Sequence, residues 1–167
     1  MTEPSIEIGL ATAGDIDEIL ALQAENQPDQ GGTLSAALPR ERIAGLVAGP
    51  MPVVVARRAG RVVGYVIAAE PSDVRHIPII AAMLETYRGD GGAYVYGPIC
   101  VAATERGQGL AQRLFHALES RLPGREGILF IREDNAASLR AHEKMGMHRV
   151  GTFEFAGAAI AVLAYRG

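Results

Sequence analysis

Apolar residues along this chain fall into short alternating or helical-period runs, each closed by glycine, proline or a polar turn. Ile6 to Leu10 reads as a first strand. Thr12 to Asp15 then offers a capping box, followed by Ile16, Ile19, Leu20 and Gln23 at helical spacing. Pro28 to Gly32 breaks that helix, and a second helical region lies within Ser35 to Ala48, restarted near Pro39 and closed by Gly49-Pro50. Val53 to Arg57 and Arg61 to Ala69 flank Ala59-Gly60 as a hairpin. Within Pro71 to Gly92, Pro78 starts a helix whose Ile79, Ile80, Met83, Leu84 and Tyr87 form one apolar surface. That surface is core, with a homodimer contact or a substrate wall as the alternatives.

Tyr94 to Val101 is the next strand. Pro98 has no N–H for a ladder, which predicts a bulge or local opening there. A helix after Gly109 buries Leu110, Leu114, Phe115, Leu118 and Leu122 and ends at Pro123-Gly124. Ile128 to Ile131 forms a strand, Asn135 begins a short helix running to about Lys144, and Met147 to Phe155 and Ala158 to Tyr165 close the chain as two strands. No internal repeat or low-complexity linker divides it, so the expectation is a single domain over residues 1–167.

Composition narrows the classes. With 49% hydrophobic residues over 167 positions, the chain supports a core without metal or disulfide staples, and broad disorder is excluded. A net charge of −3 offers no global attraction to nucleic acid or to an acidic membrane, and Arg57, Arg58 and Arg61 read as a charged surface turn. Cys100 is the only cysteine, so neither an intrachain disulfide nor a Cys-rich zinc site can form, and no metal is expected. The start lacks a basic segment leading into an apolar core, and no apolar run reaches 18 residues; a soluble cytoplasmic protein is expected. Lys144, the sole lysine, sits in a charged helical segment, a poor setting for Schiff-base chemistry.

The chemistry concentrates where a strand meets a glycine-rich turn and a helix, from Tyr94 to Ala111. Gly107 and Gly109 let the backbone turn tightly and approach a ligand. The N–H groups from Gln108 to Ala111 point outward at a helix start whose dipole favours negative charge, and Arg106 can add a charge-assisted contact. The alternative is a glycine turn that only reverses the chain. A P-loop is excluded because Leu110 and Ala111 stand where Lys and Ser or Thr would follow, and the three-glycine dinucleotide fingerprint is absent.

Arg106-Gly107-Gln108-Gly109-Leu110-Ala111 resembles the acetyl-CoA-binding motif of the GNAT N-acetyltransferase superfamily, as does the strand exit Ile99-Cys100-Val101-Ala102-Ala103, although Ala103 stands where proline is common. A second match, Asn135 to Met147, resembles that family's Asn-containing helix and its Gly-aromatic exit. The order of elements fits from Ile6 to Tyr165. The resemblance implies an α/β (α+β) fold: a mixed, mostly antiparallel central sheet flanked by helices, with a V-shaped split between the fourth and fifth strands. It also implies that acetyl-CoA is the co-substrate and CoA the product. The backbone at Cys100 and Val101 would bind the pantetheine arm, that from Arg106 through Gly107, Gln108, Gly109 and Leu110 to Ala111 the pyrophosphate, while Asn135 and Ser138 would contact the cofactor beyond the sheet.

The implied reaction is direct attack of a neutral amine on the acetyl carbonyl, with a donor near Val101 stabilising the developing oxyanion. His142 departs from the family, standing where a tyrosine usually meets the sulfur. An imidazolium could protonate the departing thiolate; the alternative is a polar helix residue and a thiolate that leaves unprotonated. Cys100 is either an acyl-enzyme nucleophile or a small buried hydrophobe, and no His with an acidic partner is identifiable around it. Glu133 and Asp134 could touch substrate or move a proton, with helix capping the other account of Asp134; Glu25 and Glu70 are further candidates. Gln23 to Leu38, Pro71 to Gly92 and the last hairpin would set the acceptor, a small-molecule amine or a peptide N-terminus. The competing class is a CoA-responsive or protein-binding module with little transfer.

Overall fold

A computed structural model describes residues 2–26 and 37–167. The break expected at Pro28 to Gly32, the first residues of the expected second helical region and most of the acceptor stretch Gln23 to Leu38 lie outside the described residues. Strands β1 (Ile6–Leu10), β2 (Val53–Arg58), β3 (Arg61–Ala69), β4 (Tyr94–Val101), β5 (Glu126–Arg132), β6 (His148–Phe155) and β7 (Ala158–Arg166) form one sheet in the order β1-β2-β3-β4-β5-β7-β6. The helices are α1 (Ile16–Glu25), α2 (Arg40–Ala48), α3 (Pro71–Val74), α4 (Pro78–Thr86), α5 (Leu110–Glu119) and α6 (Ala136–Lys144). β1/β2, β2/β3, β5/β7 and β6/β7 pair antiparallel and β4/β5 pair parallel, the mixed, mostly antiparallel sheet expected. The β4/β5 ladder holds two pairs, Tyr94↔Gly127 and Val95↔Ile128. β4 nevertheless runs on to Val101 and β5 to Arg132, so pairing ends early where the split was expected.

The residues group into two compact units. One contains the chain up to Ala68 together with Gly97–Arg121; the other contains Ala69–Tyr96 and Leu122–Gly167. β4 therefore changes unit at Gly97, where φ is +107° and the residue before Pro98 needs a conformation that side chains resist.

In the first unit, Asp15 completes the capping box by accepting from the Thr12 N–H at 2.8 Å and also holds Arg57. α5 lies on β1 and β2 with Leu110, Leu114, Phe115 and Leu118 buried. Each such side chain contributes about 1.5–3 kcal/mol. Gly64 permits this approach: a Cβ there would stand 3.1 Å from Leu114 Cδ1 and 3.3 Å from the Cys100 carbonyl. In the second unit, α4 packs on β6 with Ile79, Ile80 and Met83 buried, so the apolar stripe of that helix is core.

The sequence pattern misplaced some ends. α5 stops at Glu119, ahead of Pro123-Gly124, because its last turn tightens and the Arg121 N–H bonds the Leu118 carbonyl at 3.0 Å. β5 extends past Ile128 to Ile131 at both ends, since Glu126 and Arg132 are held by pairing with Arg166 and Ile160 rather than by apolar character. The four-residue α3 was not foreseen.

Candidate functional site

The glycine-rich loop is built from its base upward. The Ala102 N–H bonds the Val63 carbonyl at 2.8 Å, fixing the chain as it leaves β4. A single 3-10 turn, Ala103–Glu105, follows. Glu105 is buried and accepts from Arg58 Nε and Nη2, each at 2.9 Å, which holds its carboxyl below the usual range. Gly107 and Gly109 have φ of +78° and +75°, and a Cβ on either would meet no atom of the described residues within 4 Å. The requirement for glycine there is conformational, since none of the described residues crowds the position. Gly109 caps α5, whose first intrahelical bond runs from the Arg113 N–H to the Gly109 carbonyl at 3.1 Å. The N–H groups of Leu110, Ala111 and Gln112 therefore have no carbonyl a turn behind them. Two left-handed glycines and these donors suit an anion with several oxygens. Gln108 is exposed, whereas the Leu110 side chain is buried, leaving its backbone for the site.

Cys100 is buried in β4. Its thiol donates to the Leu22 carbonyl at 3.7 Å, and burial pushes its pKa up to about 11. A thiol held in that state is a poor nucleophile near neutral pH, so Cys100 behaves as the small buried group. Tyr65 lies beside it, fully buried, its hydroxyl against the Cys100 thiol and with no other hydrogen-bond partner among the described residues. Val101 is half-buried, and its carbonyl accepts from Arg106 Nε at 3.4 Å. Arg106 Nη2 also donates to Asn26 Oδ1.

In the second unit, Asn135 caps α6, its Oδ1 accepting from the Ser138 N–H at 3.2 Å. The amide nitrogen is the end of that side chain the cap does not use. His142 is buried, with Nδ1 2.8 Å from the Ser138 carbonyl and 3.3 Å from Ser138 Oγ. The carbonyl can only accept, so Nδ1 carries the proton, and in the neutral ring Nε2 accepts from the Tyr96 hydroxyl at 3.3 Å. Burial lowers the His142 pKa, opposed by the Ser138 carbonyl. Proton donation by this ring would need the imidazolium that burial disfavours.

Tyr96 was not singled out from the sequence. Its ring stands edge-on to His142 and to Tyr165, at centroid distances of 5.7 and 5.9 Å, and the Tyr94 and Tyr165 hydroxyls bond each other. The available signal was Tyr94 and Tyr96 two apart in one strand, hence on one face.

Several acids considered for proton transfer are held by arginines. Asp134 accepts from Arg132 at 3.0 and 2.8 Å, and Glu70 from Arg125 at 3.1 and 3.2 Å. Glu133 pairs with Arg149. The helix cap belongs to Asn135 rather than Asp134. Arg57 and Arg58 of the charged turn likewise hold Asp15 and Glu105.

The predicted positions thus fall into two groups. Cys100, Val101 and Arg106 to Ala111 belong to the first unit, and Asn135, Ser138 and His142 to the second. Among the described residues, no group of three or more His, Cys, Asp or Glu is placed to hold a metal, and no helix is long and apolar enough to cross a membrane.

Residues 16–147 match the profile of the Acetyltransferase (GNAT) family. No curated protein sequence matches the chain. Among solved structures it is similar to a GNAT-family acetyltransferase from Streptococcus agalactiae, at 18% identity over 100% of this chain and 98% of that one, with a TM-score of 0.73. It is also similar to a phosphinothricin acetyltransferase from Sinorhizobium meliloti in complex with acetyl-CoA, at 18% identity over 96% and 88% of the two chains, TM-score 0.71. A third is the ribosomal-protein-S18-alanine N-acetyltransferase from Escherichia coli, at 13% identity over 97% and 94%, TM-score 0.69. At such identities the likeness is one of fold.

Proposed function

The chain belongs to the acetyltransferase (GNAT) family, and from that premise we propose that it moves the acetyl group of acetyl-CoA to a primary amine of a small molecule or a peptide N-terminus. The observation that carries this reading is the loop from Arg106 to Ala111. It has two left-handed glycines, none of the described residues within 4 Å of where a Cβ would stand on either, and N–H donors at the start of α5 that no helical carbonyl takes. These features fit the pyrophosphate of CoA.

Acetyl-CoA supplies an acetyl thioester, which a neutral amine attacks so that an N–C bond forms and the C–S bond breaks; CoA leaves as the thiolate, and the proton shed by the nitrogen passes to that thiolate or to water. The backbone of residues 106–111 holds the diphosphate, and the backbone at Cys100 and Val101 orients the pantetheine arm. The Val101 N–H polarises the acetyl carbonyl, a contribution of several kcal/mol to such transfers. Asn135, through its amide nitrogen, and Ser138 meet the cofactor from α6. His142 positions the Tyr96 hydroxyl, which donates to its Nε2. The setting is cytoplasmic, without nucleic acid or membrane as partner.

The test is acetyl-CoA binding by calorimetry, followed by thiol release across amino acids, polyamines, aminoglycosides and peptide N-termini. Binding with turnover on one class identifies the acceptor, and absence of binding removes the reading. One observation favours a second reading, a CoA-responsive module: both ring nitrogens of His142 are engaged within the chain. Binding without turnover on the whole panel would support it.

A further inference from the structure

Arg106 opens the glycine-rich loop, yet its guanidinium is turned back onto the protein. Nε donates to the Val101 carbonyl at 3.4 Å and Nη2 to Asn26 Oδ1. Asn26 is buried at the C-terminal cap of α1, and its Nδ2 donates to the Leu22 carbonyl at 2.8 Å. That carbonyl also accepts from the Cys100 thiol at 3.7 Å. The bonds close a ring: loop to strand exit, loop to α1, and α1 back to the strand. All its members lie in one unit.

We propose that Arg106 is a positioning residue that ties the glycine-rich loop and the exit of β4 to the last turn of α1, so that occupation of the loop is felt from Leu22 to Asn26. The inference rests on the loop's reading as a CoA site. Both acceptors of the guanidinium are neutral, so its charge still favours an anion nearby, but two of its five donors are directed elsewhere. A planar fork presents donors from separate nitrogens to two acceptors on two elements, whereas an ammonium has its three donors on one nitrogen at the end of a flexible stem and fixes neither element as firmly. Charge and geometry are therefore separable by Arg106→Lys. Asn26→Leu cuts the same link from its far end without altering the loop.

The experiment measures amide hydrogen exchange of the full chain with and without CoA, beside the CoA Kd by calorimetry, for the wild type, Arg106→Lys and Asn26→Leu. In the wild type, CoA slows exchange in residues 107–112 and also in residues 20–26, the latter by about fivefold or more, the low end of ordinary coupling. In both variants the protection of 107–112 remains and that of 20–26 disappears, and for Asn26→Leu, which lies outside the cofactor contacts, Kd changes by less than about threefold, below the low end of ordinary coupling. A wild type that binds CoA without protecting 20–26, or an Asn26→Leu variant that keeps that protection, overturns the proposal while leaving the cofactor reading intact. A tenfold or larger rise in Kd for Arg106→Lys, with Asn26→Leu silent, overturns it in favour of a direct phosphate ligand. A wild type that binds no CoA overturns the functional reading itself, and this inference with it.

Discussion

Acidification from pH 7.5 to 5 titrates His142 in a way the buried site makes costly. Its folded pKa lies below the ordinary 6.5, with burial the leading cause. Between that lowered value and 6.5 the unfolded chain binds a proton that the folded protein does not, so stability falls as pH falls through this window. Above 6.5 and below the folded pKa the contribution is constant. Each pH unit traversed inside the window costs up to about 1.4 kcal/mol. For a chain of this size that is a fall in Tm of roughly 3–6 °C per unit. Asp15, Asp90, Glu105 and Asp134 have lowered pKa values, so their losses begin only in the carboxylate range and leave the window clear. Calorimetric Tm measured every half unit from pH 8 to 5 reads the slope for the wild type and for His142→Gln and His142→Phe. The variants should lose the slope near pH 6 whatever their absolute Tm. A wild-type curve flat down to pH 5, or a slope retained in both variants, would refute a buried neutral imidazole.

Two further substitutions test the packing around the site. Gly127→Ala places a Cβ 2.4 Å from the Tyr165 Cε1 and Cζ atoms and 2.6 Å from its hydroxyl, against a ring held by Tyr94 and edge-on to Tyr96. Overpacking of about 1–3 kcal/mol, less about 0.4–1 kcal/mol gained through the unfolded chain, predicts a net loss near 1–2 kcal/mol in urea unfolding; unchanged stability would show that the ring moves freely. Tyr65→Phe removes a fully buried hydroxyl whose neighbour is the weakly bonding Cys100 thiol and that has no other partner among the described residues, so stability should change by less than about 1 kcal/mol, and a larger loss would reveal a further partner for it.

Local rules settled much of the architecture. The Thr12 to Asp15 capping box, the turn at Ala59-Gly60 with φ of +53° and +78°, and the start of α5 at Gly109 are each decided by a few adjacent residues, and all stand where the apolar pattern put them. The loop from Arg106 to Ala111 was legible for the same reason, since backbone donors at a helix start need no distant partner. Side-chain direction was not legible. Arg106 read as a phosphate contact from its place in the loop, but only folding brings Asn26, eighty positions away in the chain, to its guanidinium. Glu133 and Asp134 read as acids that could touch substrate or move a proton, with Glu70 a further candidate, and only the fold brings an arginine onto each. His142 shows the division most clearly. The sequence alone places an ionisable ring on a helix, and a helix spacing of four sets Ser138 beneath it. Tyr96 on a separate strand, and the burial that lowers the ring's pKa, come from tertiary packing, because solvation and cross-element hydrogen bonds depend on neighbours that no local pattern names.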